Sequence, residues 1–192
     1  MNEQKIKKIQ NLPGDLAIWI FIYAELLVFG VFFMAYAVSR RSNIELFNQS
    51  QLLLDQRAGF INTIVLITSS WMVVQAVHAI KNNYSKLCVR WLDGAILMGG
   101  VFLVIKVYEF YIKTEQGINL STNTFYMFYL SLTFFHFMHV ILGMIILLAI
   151  RLKANKGGYS NVSYQGVETG ASYWHMVDLV WIVLFPLVYI IR

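Results

Sequence analysis

Glu25 stands alone in an otherwise apolar run, LAIWIFIYAELLVFGVFFMAYAV, from Leu16 to Val38. On a helix its neighbours three, four and seven positions away are Ile18, Phe21, Ile22, Val28, Phe29 and Phe32, all apolar. A carboxyl in such surroundings either hydrogen-bonds to another helix or handles protons, because an uncompensated charge at membrane depth is costly. Three pairs at i, i+3 spacing follow it: Lys106 with Glu109, His136 with His139, and His175 with Asp178. That spacing puts both members of a pair on one helical face. For Lys106 and Glu109, an intrahelical ion pair near a membrane interface is the expected role. The histidine pairs are expected to hydrogen-bond between packed helices.

Metal chemistry is the sharper alternative for the histidines, of which the chain has four. A haem held by two histidines needs ligands at matching depth on facing helices. His78 and His175 lie too near the ends of their apolar runs for that. A dinuclear copper centre needs thiolates, and Cys88 is the single cysteine. No metal or haem site is therefore expected in this chain. There is also no nucleotide-binding glycine motif, no serine elbow and no pair of catalytic carboxylates.

The elements that must carry these residues are membrane helices. Of 192 residues, 58% are hydrophobic and 13% charged, so most of the chain belongs in lipid. The net charge of +5 does not indicate nucleic acid, because the basic residues sit between apolar runs as topology determinants do. An all-α bundle of five transmembrane helices is predicted, at about 16–38, 59–80, 91–112, 124–150 and 172–191, in a single membrane domain. Each run is long enough to cross a hydrocarbon core of ~30 Å at ~1.5 Å per residue. Leu46 to Leu54 is expected as a short amphipathic piece at the interface, and Asp15 as a helix cap. Ala35-Tyr36-Ala37 resembles a signal-peptidase site, but the apolar run before it is about twice a signal core in length and contains Glu25. Gly99-Gly100 is expected to let helices approach closely, and Pro186 to bend the last helix. Trp19, Trp91 and Trp174 are expected in an aromatic belt at one interface.

Lys and Arg on alternate sides number nine (the N-terminus, 81–90 and 151–171) against five (Arg40, Arg41, Arg57, Lys113 and Arg192). The positive-inside rule then puts the N-terminus in the cytoplasm and the C-terminus in the periplasm of a bacterial inner membrane. With that topology His78, Asp93, His139, Glu168 and His175 fall at similar depth near the inner face, as an inner polar cluster or a set of lipid contacts.

The motifs have a family likeness. W-I-F-I-Y-A-E-L-L-V-F (19–29) resembles the helix that bears the buried, carbodiimide-reactive glutamate of subunit III of the haem–copper oxidases, which lands on Glu25. Asn62, Thr63, Thr68, Ser69, Ser70, His78 and Ala79 resemble that family's next helix, and Y-E-F (108–110) the end of the third. F-H-F-M-H-V-I-L-G (135–143) is similar to its H-x-x-H-V-x-x-G, and Glu168, His175, Asp178 and Trp181 to its E-x6-H-x2-D-x2-W. The likeness covers nearly the whole chain, in the short five-helix form. P-G-D-L-A-I-W near the start and W-H-M-V-D-L-V-W-I-V-L-F-P-L-V-Y near the end look closest to the NorE-type accessory proteins of nitric oxide reductases.

The resemblance implies a non-catalytic accessory subunit of a respiratory oxidoreductase. Such a subunit binds no cofactor itself, the haem being in the partner subunit. It packs on the catalytic subunit of a haem–copper oxidase or nitric oxide reductase, meets membrane phospholipid, and supports stability and proton uptake. The larger family members hold lipid in a cleft beside two helices that have no counterpart here. A nitric oxide reductase partner is preferred, with subunit III of a terminal cytochrome c or quinol oxidase as the alternative. A small proton-coupled transporter using Glu25, Lys106 and Glu109 is the reading from another class. Against it, the chain has no inverted repeat and no pair of broken helices.

Overall fold

A computed structural model describes residues 14–191. The basic residues of the N-terminus (Lys5, Lys7 and Lys8), Pro13 and Arg192, all used above, lie outside the described residues. Those described form α1 (Leu16–Ser42), α2 (Ile44–Leu52), α3 (Gln56–Lys81), α4 (Ser85–Glu115), α5 (Thr124–Asn155) and α6 (Gln165–Phe185), with a π-helical turn over Pro186–Ile190. Among them there is no strand, and five helices are long and apolar enough to cross a membrane, α6 together with its π turn being the fifth. The predicted all-α bundle of five spans is what the chain forms.

α3 and α4 extend past the predicted limits at both ends, α1 and α5 at their C-terminal ends and α6 at its N-terminal end, and the reason lies in the short connections. α3 and α4 are separated only by Asn82, Asn83 and Tyr84. Asn83 takes φ 61°, a left-handed conformation that asparagine tolerates better than most residues, and Tyr84 N–H closes on Ala79 O at 2.9 Å. The basic stretch expected as a loop up to Arg90 is instead the first turn and a half of α4, because Cys88 and Val89 are buried there. In the same way α6 starts at Gln165 rather than Ser172, since Val167, Gly170 and Ala171 continue its buried face. Glu168 therefore sits in the first turn of a helix, where its charge complements the helix dipole. Asp15 occupies the N-cap of α1 without a capping bond from its side chain; its backbone N–H donates to Thr169 Oγ1 at 3.2 Å.

The bundle has two ends. At the Lys81 end lie the start of α1, the α3–α4 turn, the end of α5 and the start of α6. At the Lys113 end lie α2, the start of α3, the end of α4 and the π turn. α6 is the central helix, packed against α1, α3 and α5, and 61% of its spanning window is buried, against 11% for α1. The expected interfacial piece exists as α2, but it docks on the bundle through Phe47 and Gln51, both fully buried. Gln51 Nε2 donates to Val188 O at 3.0 Å and Gln56 Nε2 to Tyr189 O at 2.9 Å. These side chains satisfy carbonyls that the terminal turn leaves without helical donors.

Trp174 corrects an expectation. It lies in the core, at 1% exposure, and not in an interfacial belt. The room comes from glycines. A Cβ on Gly143 would stand 2.8 Å from the Trp174 ring, and one on Gly99 3.0 Å from it. Gly100 faces open space, so only one member of the Gly-Gly pair serves close approach.

Candidate functional site

The polar residues singled out from the sequence fall into three separate centres, each built by a different set of helices.

The first joins α1 to α5. Glu25 Oε2 lies 3.0 Å from His139 Nε2, with the two side chains 19% and 9% exposed. His139 Nδ1 faces the carbonyl of Phe135 at 2.8 Å. A carbonyl only accepts, so Nδ1 carries a proton and Nε2 is left to share one further proton with Glu25. The pair is thus either a neutral imidazole with a carboxylic acid or an imidazolium with a carboxylate, and one proton crossing the 3.0 Å hydrogen bond interconverts them. Phe29 and Phe135 flank the imidazole at 5.2 and 4.6 Å between ring centroids and shield it from lipid. A carbodiimide, which attacks protonated carboxyls in apolar sites, should label Glu25 in the intact membrane, and peptide mapping by mass spectrometry would locate the adduct. A chain labelled only at other carboxyls would show that the proton resides on His139.

The second centre is a cleft of about 330 Å³ at the Lys81 end, between α3 and α6. His78, Lys81, Glu168 and His175 line it, together with Val74, Val77, Ala171 and Ser172. Lys81 Nζ pairs with Glu168 Oε1 at 2.7 Å, and the ammonium stands 5.1 Å from the Tyr164 ring centroid. Deeper in, Ser70 Oγ lies 2.7 Å from His175 Nδ1, close to Asp178. Of the five residues expected at one depth, three share this cleft. His139 turns to Glu25 instead, and Asp93 pairs at the surface with Arg151 of α5 at 2.8 Å.

The third centre is the most enclosed. Lys106 Nζ pairs with Glu109 Oε2 at 2.8 Å and donates to Tyr189 OH at 2.7 Å. The hydroxyls of Tyr129 and Tyr189 donate to Glu109 Oε1 at 2.6 and 2.7 Å. Lys106 has no exposed surface and Glu109 only 6%, so the pair expected near an interface lies inside the bundle. The Trp181 ring, 4.8 Å from the ammonium, adds a cation–π contact. Every oxygen of Glu109 is occupied, which is the condition for burying an ion pair at tolerable cost. One helical turn on, Lys113 donates to Leu53 O at 2.8 Å and faces a smaller cleft that reaches Glu109.

His136 belongs to none of the three. It is fully buried, tilted against Trp181 at 5.2 Å and edge-on to Phe102 at 5.7 Å. Among the described residues no group of three or more His, Cys, Asp and Glu side chains is placed to hold a metal ion. Sequence reasoning missed Tyr129, Tyr189 and Ser70 as partners. The tyrosines passed as packing aromatics, although a Tyr one turn from a buried polar residue is a signal that its hydroxyl needs a partner.

Known proteins share this chain's features over nearly its full length. A protein-family model described as cytochrome c oxidase subunit III matches residues 12–192. Cytochrome c oxidase subunit 3 of Synechocystis is 36% identical over 173 residues, covering 90% of this chain and 73% of that protein. The corresponding subunit of Thermostichus vulcanus is 33% identical over 177 residues, 92% of this chain and 86% of its own. Cytochrome bo(3) ubiquinol oxidase subunit 3 of Buchnera aphidicola is 27% identical over 186 residues, 97% and 89% of the two chains.

Proposed function

This chain belongs to the cytochrome c oxidase subunit III family, and from that premise we propose that it is the non-catalytic third subunit of a haem–copper terminal oxidase. The observation that supports this reading most is the extent of the family match, which takes in all five spans and the residues of all three polar centres. The relatives named above are oxidase subunits. They favour a terminal oxidase partner over the nitric oxide reductase partner preferred from the sequence motifs. The NorE-type reading keeps its support from P-G-D-L-A-I-W and the W-H-M-V-D-L-V-W ending.

In this role the chain binds no haem and no oxygen; haem resides in the partner catalytic subunit. The apolar outer faces of α1, α3 and α4 are offered to that subunit and to lipid, with Leu27, Val31, Met34, Ile64, Trp71 and Val104 all well exposed. The Lys81 end faces the cytoplasm of a bacterial inner membrane. There the cleft of His78, Lys81, Glu168 and His175 meets a phospholipid headgroup, and Glu25 with His139 holds one exchangeable proton near the catalytic subunit's uptake path.

Affinity purification of the tagged chain in mild detergent should bring down a haem-bearing subunit. Copper in that partner supports a terminal oxidase, and non-haem iron a nitric oxide reductase. Deleting the chain should lower oxidase turnover or its durability while haem per catalytic subunit stays unchanged. A colourless chain without partner that carries proton flux in liposomes would move the assignment to a transporter.

A further inference from the structure

Among the buried polar atoms without a hydrogen-bond partner, those of Asn62, His136 and Asp178 lie on facing helices. Asn62 on α3 is fully enclosed, and neither its Oδ1 nor its Nδ2 has a hydrogen-bond partner among the described residues. The same is true of both ring nitrogens of His136 on α5 and of Oδ1 of Asp178 on α6. A buried amide or imidazole without a partner forfeits its hydration and gains nothing in exchange, and such groups are rare in folded proteins.

Asn62 and His136 lie at one depth, and Asp178 lies one turn away. Ser69 Oγ donates to Ala95 O at 2.9 Å, which sets the register of the antiparallel α3–α4 pair. Two turns along each helix from that contact, Asn62 comes level with Phe102. The Phe102 ring stands edge-on to Trp181 at 5.0 Å and to His136 at 5.7 Å. Trp181 Nε1 donates to Oγ1 of Thr63, the residue next to Asn62, at 3.0 Å. Asp178 is one turn before Trp181 on α6, on the Lys81 side of this layer. α3, α5 and α6 therefore bring polar atoms to this layer and the turn beside it, and those atoms are complementary. The amide offers two donors and an acceptor, the neutral imidazole one of each, and the carboxylate oxygen an acceptor.

We propose that this layer binds ordered water, hydrogen-bonded to Asn62, His136 and Asp178. A buried water makes about three hydrogen bonds, and these donors and acceptors supply them. Asp178 also meets Ser70, which contacts His175 at the base of the Lys81-end cleft. On the other side, Lys106 lies against the same Trp181 ring that flanks His136. The water thus links the second and third polar centres into one polar file along the bundle.

The test is water-edited solid-state NMR on the whole chain in lipid bilayers, ¹⁵N-labelled at histidine. Magnetisation started on water should reach the ring N–H of His136, a signal identified by its loss in His136→Phe. In Asn62→Leu that transfer should fall roughly threefold or more as ordered water leaves, while the His139 signal, held by Glu25 and Phe135, stays as a check on the fold. Should Asn62→Leu also lose His139, Asp178→Leu, which removes the acceptor, is read in the same way. No transfer to His136 in the unaltered chain, or transfer undiminished in the well-folded variant, overturns the proposal.

Discussion

Lys106→Met should destabilise the bundle by about 3–5 kcal/mol, the usual loss when one partner of a buried ion pair is removed. The substitution leaves Glu109 enclosed between α4, α5 and the π turn, with two tyrosine hydroxyls but no counter-charge. Glu109→Gln is expected to cost a similar amount: the amide oxygen can still accept from both tyrosines, but the buried Lys106 ammonium loses its counter-charge and faces an amide nitrogen that cannot accept from it. The double variant Lys106→Met with Glu109→Gln should recover most of the loss, since it buries no net charge. Reversible unfolding in mixed detergent micelles measures all three. If Lys106→Met costs less than about 1 kcal/mol, the ion pair does not survive in the membrane as drawn here.

A second large effect is expected from one methyl group. Gly143→Ala puts a Cβ 2.8 Å from the Trp174 ring, whose far edge already lies so near α4 that a Cβ on Gly99 would stand 3.0 Å from it. Overpacking of a closed site costs about 1–3 kcal/mol. Gly100→Ala is the control: nothing lies within 4 Å of its added carbon, so stability should hold to within about 0.5 kcal/mol. Thermal unfolding and the tryptophan emission of the two variants separate the cases. Equal effects at both glycines would mean that helix propensity, not contact with Trp174, governs this seam.

What could be read from the sequence and what could not divide along physical lines. The five spans were legible because length and apolarity are properties of a stretch taken alone. Their ends were not, since Cys88 and Val167 extend α4 and α6 by burial against other helices, which a hydropathy window does not see. Lys106 and Glu109 were legible as a pair because their spacing is local to one helix. The partner of Glu25 was not, because His139 lies 114 residues away on another helix. The same limit hid Tyr189, which reaches Lys106 from the π-helical turn at Pro186, 83 residues along the chain. Trp174 shows the converse error. A tryptophan near the end of an apolar run was read as interfacial, and two glycines on other helices turned it inward.

The central position of α6 has a consequence for how the chain is made. Among the five spans it is the last to leave the ribosome, yet it is the one the others pack around. α1, apolar on nearly every face, can partition into the bilayer as soon as it emerges. α6 carries Glu168, His175 and Asp178 and gains from insertion only when α3 and α5 receive it. Until then the first five helices surround a slot that only lipid or an insertase can occupy. The nascent chain therefore commits to its native arrangement late, and an arrest before Gln165 leaves a membrane-inserted intermediate open to quality-control proteolysis.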